Sequence, residues 1–272
     1  MSPTFVVIIG LLGLAVGSFL NVAVSRVPAG RSVVRPRSAC PRCATPIAAR
    51  DNIPIVSWLL LGGRCRACRV RIPARYPLVE ALTALLFVAE ALRFGRSEVL
   101  PAALVFTAGL LALAACDAEH FLLPRRLIYP TLGLTAVCLL AAAAATGQWQ
   151  RLAVTTACGA GAYAVFFALH WMRPAWLGFG DVRLAGLLGA GLGWLGPWHV
   201  VFAVLAGSAV GLLVGLVLMA AGRATRQTRL PFGVFLAAGA ITALLAGGPV
   251  IQWYASAIDP YATSAPRATI RH

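Results

Sequence analysis

Residues 3–24 read PTFVVIIGLLGLAVGSFLNVAV, without one charged side chain. A helix needs about 20 apolar residues to cross roughly 30 Å of hydrocarbon, so this run reads as a membrane span. It is not expected to be a cleavable signal peptide. No basic residue precedes it, it is too long, and the first arginine, Arg26, follows it. Seven comparable runs lie downstream, near residues 77–92, 100–116, 127–146, 152–171, 182–195, 198–221 and 231–255. Those near 77 and 182 are short, so the span count is seven or eight. No alternating pattern of about ten residues per segment occurs, which argues against a β-barrel. With 60% hydrophobic and 11% charged residues, against roughly 25% charged in an average soluble chain, a soluble globule is excluded. The fold class expected is an all-α polytopic membrane protein of about eight transmembrane helices.

The formal charge of +15 comes from 23 basic residues against 8 acidic ones, and every basic residue is arginine. On a soluble protein that excess would point to nucleic acid. Here its distribution marks orientation, because cytoplasmic loops retain arginine and translocated ones are depleted in it. With the N-terminus outside, 18 of the 23 arginines fall on the cytoplasmic side, 11 of them in residues 26–75. No nucleic-acid partner is expected, while anionic headgroups of membrane lipid are. Trp149, Trp171, Trp194, Trp198 and Trp253 lie near run ends, where indole rings settle at the headgroup level.

Between the first two runs, residues 26–76 are polar, proline-rich and too few to bury a core unaided, so a staple is expected. Cys40-Pro-Arg-Cys43 and Cys65-Arg-Ala-Cys68, 21 residues apart, have the spacing of a Cys₄ zinc knuckle, one residue beyond the usual interval. Neighbouring Arg42, Arg64, Arg66 and Arg69 favour thiolates. Disulfides are the competing reading, disfavoured in a reducing cytoplasm; four unrelated buried thiols are another. Four sulfur ligands leave no open position, so the metal's role would be structural. Cys116, Cys138 and Cys158 fall inside apolar runs and read as small buried hydrophobes. The tail, residues 259–272, reads as disordered and extracytoplasmic.

Only eight acidic residues exist, and four of them, Glu80, Asp117, Glu119 and Asp181, fall at the cytoplasmic face. A carboxylate at a membrane boundary is a functional candidate because desolvating it is costly. Asp117 closes the third run. Asp181 ends Gly178-Phe-Gly180-Asp181 and opens the sixth, with glycines that permit close backbone approach. Two carboxylates from different helices at one depth could share a proton and activate a water between them. The plain alternative makes Asp181 a helix N-cap and Asp117 a solvated helix end. Competing hydrolytic chemistries are absent. There is no lysine for a Ser/Lys pair, no GxSG-type serine elbow, and none of His120, His170, His199 or His272 is followed by Glu as HExxH requires.

These residues resemble a known family, the type IV prepilin peptidases or leader peptidase/N-methyltransferases, which are GxGD-type intramembrane aspartic proteases. The resemblance rests on Gly17-Ser-Phe-Leu-Asn21, the paired CxxC motifs, Asp51-Asn-Ile-Pro-Ile-Val-Ser-Trp58, Arg75-Tyr-Pro-Leu-Val-Glu80, Asp117 with Leu122-Leu-Pro124, and Gly178-Phe-Gly-Asp-Val-Arg-Leu184. It implies removal of the short basic leader from type IV prepilins or pseudopilins, after a Gly, at the cytoplasmic face of a bacterial inner membrane. It also implies N-methylation of the new terminus with S-adenosylmethionine, since the N-terminal portion, with Asn21, the cysteine domain and Glu80, resembles the bifunctional members. Asp117 and Asp181 match the catalytic aspartates, with Gly178, Gly180, Arg183 and Glu80 in supporting motifs. On this reading residues 1–25 are the first span, 26–76 the cytoplasmic zinc-binding domain and 77–258 the peptidase bundle.

Two departures stand out: Arg125 where the family usually has an acid, and Arg183 where it usually has lysine. No GxGxxG or Rossmann-like pattern marks a cofactor pocket. Helix position makes Asp181, at an N-terminus, the expected base and Asp117, at a C-terminus, the expected acid. A zinc-stapled scaffold or transporter without peptidase activity, and a methyltransferase without protease activity, are the rival functions.

Overall fold

The computed structural model describes residues 2–174, 177–225 and 228–258. The tail assigned above to disorder lies outside the described residues. Among the described residues the chain forms helices α1 (Pro3–Arg26), α2 (Val56–Leu60), α3 (Arg75–Phe94), α4 (Leu100–His120), α5 (Arg125–Thr146), α6 (Trp149–Met172), α7 (Phe179–Leu192), α8 (Pro197–Ala220) and α9 (Phe232–Ile258). The only pairing of extended residues described is two isolated bridges. All but α2 correspond to the eight apolar runs, with ends displaced by a few residues. Proline in the first turn opens α1, α4 and α8, where its missing N–H costs nothing. Left-handed Gly147 closes α5.

Among the described residues six helices, α1, α4, α5, α6, α8 and α9, are long and apolar enough to cross a membrane. The two that fall short are those whose runs read as short. α3 carries Arg75, Glu80, Glu90 and Arg93. α7 has only 14 residues, about 21 Å of helix. Its shortness is tolerated because it is the inner helix of the bundle, with Val182, Leu184, Ala185, Leu187, Leu188 and Leu192 all fully buried. Its polar backbone is thereby shielded from lipid by protein. Outward side chains such as Leu205, Leu212, Leu213 and Val217 are at least 58% exposed, an arrangement suited to hydrocarbon rather than water.

α1 packs against α3, α6 against α7, and α8 against α9, while α4 touches α1, α3, α5, α7 and α9. A Cβ on Gly17 would lie 2.7 Å from Glu80 Cα, so the glycine of the Gly17–Asn21 motif serves close α1–α3 packing. The Thr107 hydroxyl of α4 donates to the fully buried Glu90 of α3. Trp149, Trp171, Trp198 and Trp253 are exposed near helix ends. Trp194 is not: it is buried against Leu139, Ala142 and Ala143. Cys116 is buried, and Cys138 and Cys158 pack partly buried against core clusters.

Candidate functional site

One end of the bundle gathers four segments that the arginine count assigns to the same side: residues 26–75, the α4–α5 turn, the start of α7 and the start of α9. Asp117 lies three residues before His120, the C-terminal residue of α4, and its side chain is buried rather than solvated. The Gly233 amide, in the first turn of α9, donates to Asp117 Oδ2 at 2.8 Å. Asp117 therefore faces a helix N-terminus across the bundle as well as sitting near the C-terminus of its own helix. Asp181 is not the N-cap of α7; Gly178 is, and no side-chain cap bond forms there. The Asp181 amide bonds back to the Gly178 carbonyl at 3.0 Å, and the Gly178 amide in turn donates to the Asp181 carboxylate. Asp117 is near enough to Asp181 for its charge to act on that carboxylate.

Leu123 holds this meeting point together. Phe121 adopts left-handed geometry after α4 (φ 53°), and Pro124 caps α5, so Leu122-Leu-Pro124 forms a tight reversal. A Cβ on Gly180 would sit 3.0 Å from Leu123 Cβ, and one on Gly233 would sit 2.9 Å from both Leu123 Cδ2 and Asp117 Oδ2. Any larger residue at either glycine would push α7 or α9 away from the carboxylates. Gly233 was missed in the sequence, although Pro231-Phe-Gly233 marks the start of the last run.

Arg183 stacks its guanidinium on the Phe179 ring, 4.4 Å from the centroid, and its buried Nε has no hydrogen-bond partner. Arg125 is exposed at the first position of α5, unlike the buried Asp117 and the partly buried Asp181. A second contact that sequence reasoning missed is the ion pair between Arg75, which opens α3, and Glu119, two residues beyond Asp117. It ties the end of the cysteine-rich segment to the last turn of α4.

Glu80 has a structural task. Its Oε2 accepts the Ile55 amide at 2.7 Å, and the Ser18 hydroxyl also bonds to it. Ile55 stands at φ 61°, a costly conformation for a β-branched residue, and the buried carboxylate holds it there. Asn21 Nδ2 donates to the Tyr76 carbonyl at 3.0 Å. These bonds dock the Asp51–Trp58 motif onto α1 and α3.

The four cysteines Cys40, Cys43, Cys65 and Cys68 converge, with all Sγ atoms within 4.8 Å of one another and Cys40 to Cys68 at 3.7 Å. A tetrahedral ion with Zn–S bonds of about 2.3 Å needs sulfurs about 3.8 Å apart. Two equivalent turns deliver them. The Ala44 amide bonds the Cys40 carbonyl and the Arg69 amide the Cys65 carbonyl, with Ala44 and Arg69 both at positive φ. The Thr45 hydroxyl and amide bring the Cys43 thiol down to about 6, and the amides of Cys68 and Ala67 lower that of Cys65. At Cys68 the Val70 amide also lowers the thiol, but burial and the three neighbouring cysteines outweigh it and push it up to about 11. Four crowded sulfurs that resist full deprotonation on their own are suited to a divalent cation. Arg66 clamps Asp51 with two bonds of 2.8 and 2.6 Å and keeps that carboxyl below the usual range.

Comparison with known proteins matches residues 11–94 to the bacterial peptidase A24 N-terminal domain and residues 104–216 to the type IV leader peptidase family. The cysteines fall in the first segment and both aspartates in the second. A prepilin leader peptidase/N-methyltransferase of Myxococcus xanthus is 43% identical over 230 residues, covering 83% of this chain and 67% of the relative. Proteins of the same description from Pseudomonas aeruginosa and Aeromonas salmonicida are each 36% identical, covering 92% and 91% of this chain and 93% of each relative. No solved structure matches.

Proposed function

The chain belongs to the type IV leader peptidase family, and from that premise we propose that Asp117 and Asp181 are the acid–base pair of its peptidase. The activity that goes with the family is removal of a prepilin leader followed by N-methylation of the new terminus. The substrates are type IV prepilins or pseudopilins, cut at the cytoplasmic face of the inner membrane, with the N-terminus of this protein outside. The observation that carries the reading is the convergence of Asp117, Asp181 and the Gly233 amide at one end of the bundle.

In the reaction, one ionised carboxylate takes a proton from a water held between the pair as that water attacks the scissile carbonyl. The other, protonated, carboxyl hydrogen-bonds the developing oxyanion, and a proton then passes to the leaving amine. Such a pair titrates jointly, and both members face helix N-termini, so the acid and base roles belong to the pair. A scaffold or transporter would not need two carboxylates brought together at one depth.

The cysteine cluster would hold zinc in a structural role, through Cys40, Cys43, Cys65 and Cys68, because four sulfurs leave no position for substrate. S-adenosylmethionine, when bound, supplies the methyl group. Neither the cavity among α5, α6 and α7 nor the hollow beside Trp171 offers the set of polar groups that would seat it, and Glu80 is committed to Ile55, so no residue is assigned to it.

The test is to incubate purified protein with a prepilin, with and without S-adenosylmethionine, and weigh the product. Loss of the leader in both samples, with a further ~14 Da only where the methyl donor is present, is expected for methyl transfer at the N-terminus of the cleaved chain. An uncut prepilin would overturn the peptidase reading, and a cut but never methylated one would overturn bifunctionality.

A further inference from the structure

Gly180 lets α7 approach Leu123, and Gly178 lets its own amide reach the Asp181 carboxylate. The same two glycines leave the backbone free to turn, so the peptide that carries this donor has to be held from outside the motif. His170, in the last turn of α6, is placed to hold it: its Nδ1 lies 2.7 Å from the Leu177 carbonyl oxygen. A carbonyl only accepts, so Nδ1 carries the proton and donates. The Leu177 carbonyl and the Gly178 amide belong to one planar trans peptide unit, in which they point in opposite directions. A donor on the carbonyl therefore sets the direction of the amide.

Two further observations support the hold. The His170 ring meets the Phe179 ring edge to face, with centroids 5.4 Å apart, and Phe179 in turn carries the Arg183 guanidinium 4.4 Å from its centroid. The helix that bears His170 is also a firm mount, because α6 lies along α7. A Cβ on Gly193 would sit 2.8 Å from Thr155 Cα, and one on Gly186 would sit 3.3 Å from the Tyr163 ring, so the two helices are close-packed.

We propose that His170 is a positioning residue for the peptidase, holding through the Leu177–Gly178 peptide the amide that aims the Asp181 carboxylate. The inference rests on Asp181 being one of the acid–base pair. An amide bonded to one carboxylate oxygen fixes the direction of the other. The bonds from imidazole to carbonyl and from amide to carboxylate run in one sense, so each polarises the next. His170 acts through this peptide and not on the substrate, so its loss slows the chemical step without weakening substrate binding. The competing role is packing alone, a ring that supports Phe179, and that role needs no donor.

Two substitutions separate the roles. His170→Asn keeps a donor in place of Nδ1 and loses the ring, whereas His170→Phe keeps a ring and loses the donor. Each is assayed for prepilin leader cleavage after metal content and thermal unfolding show the protein intact. His170→Phe should lower kcat about tenfold with KM within about twofold, and His170→Asn should stay within about threefold of the unsubstituted kcat, both short of the cost of a full 1 Å misplacement. Unsubstituted kcat in His170→Phe, a His170→Asn variant as slow as His170→Phe, or a raised KM with kcat retained would each overturn the proposal. If His170→Phe does not fold, His170→Leu takes its place, since it lacks both ring and donor and differs from His170→Asn in the donor. An unsubstituted protein that leaves prepilin uncut, or an Asp181→Asn variant that cuts at the full rate, would instead overturn the parent reading, so the two failures are distinguishable.

Discussion

The cysteine-rich segment and the meeting point of α4, α7 and α9 assemble their chemistry in opposite ways. Each pair of cysteines is set by one short turn, three residues apart and closed by a backbone bond from Ala44 or Arg69. The two carboxylates come from different helices, and the amide that binds Asp117 lies 116 residues away along the chain. The first site is organised locally, and on the proposed zinc reading an ion would hold its halves together. The second is organised by helix packing and depends on two glycines that let Leu123 and the carboxylates approach. A local site should therefore fail when its ligands go, and a packed one when its spacing goes.

The largest effect that separates the two is expected at Gly233. Gly233→Val places methyl groups against Asp117 Oδ2 and Leu123 and should lower kcat/KM for leader cleavage about a hundredfold, the cost of misplacing a reacting group by about 1 Å. Metal content measured on the same protein should not change; a parallel loss of metal would collapse the distinction. Cys40→Ser with Cys65→Ser should act in reverse. Bound zinc should fall from one per chain to none and residues 26–75 should become protease-sensitive, because metal binding supplies the folding energy of so small a unit. Cleavage should fall less than in Gly233→Val, since neither carboxylate is touched.

Arg75→Gln cuts the ion pair that links the two regions. An exposed or half-buried pair contributes under about 1 kcal/mol, so about a threefold fall in kcat/KM with metal retained is expected. A fall as large as that of Gly233→Val would mean the regions are one unit. Arg125→Asp introduces, at an exposed position, the acid that the family resemblance leads one to expect there. It should change kcat/KM by no more than about twofold, the usual reach of a surface substitution.

The same contrast explains what could be read in advance. The spans were legible because bilayer thickness imposes a run length, and α3 and α7 fell short because one carries four charges and the other is sheltered by protein. The cysteines were legible because metal geometry fixes a short spacing. Scarcity of acids narrowed the candidates to four at the cytoplasmic face, and the glycine-flanked Gly178–Asp181 stretch and the family resemblance singled out Asp117 and Asp181 among them. Gly233, the Arg75–Glu119 pair and the docking of Ile55 on Glu80 were not legible, because each joins segments whose separation in sequence carries no period. Trp194 looked like an interfacial indole from its place at a run end, yet packing against α5 buries it.

The central claim is that Asp117 and Asp181 act as one catalytic unit, and it is tested most directly by cleavage rates of Asp117→Asn, Asp181→Asn and the double variant, each verified to retain metal. Groups that act together are not additive, so each single variant should lose about a thousandfold or more in kcat and the double variant should be no worse than the slower single. Leader cleavage within tenfold of the unsubstituted rate by either single variant would contradict it.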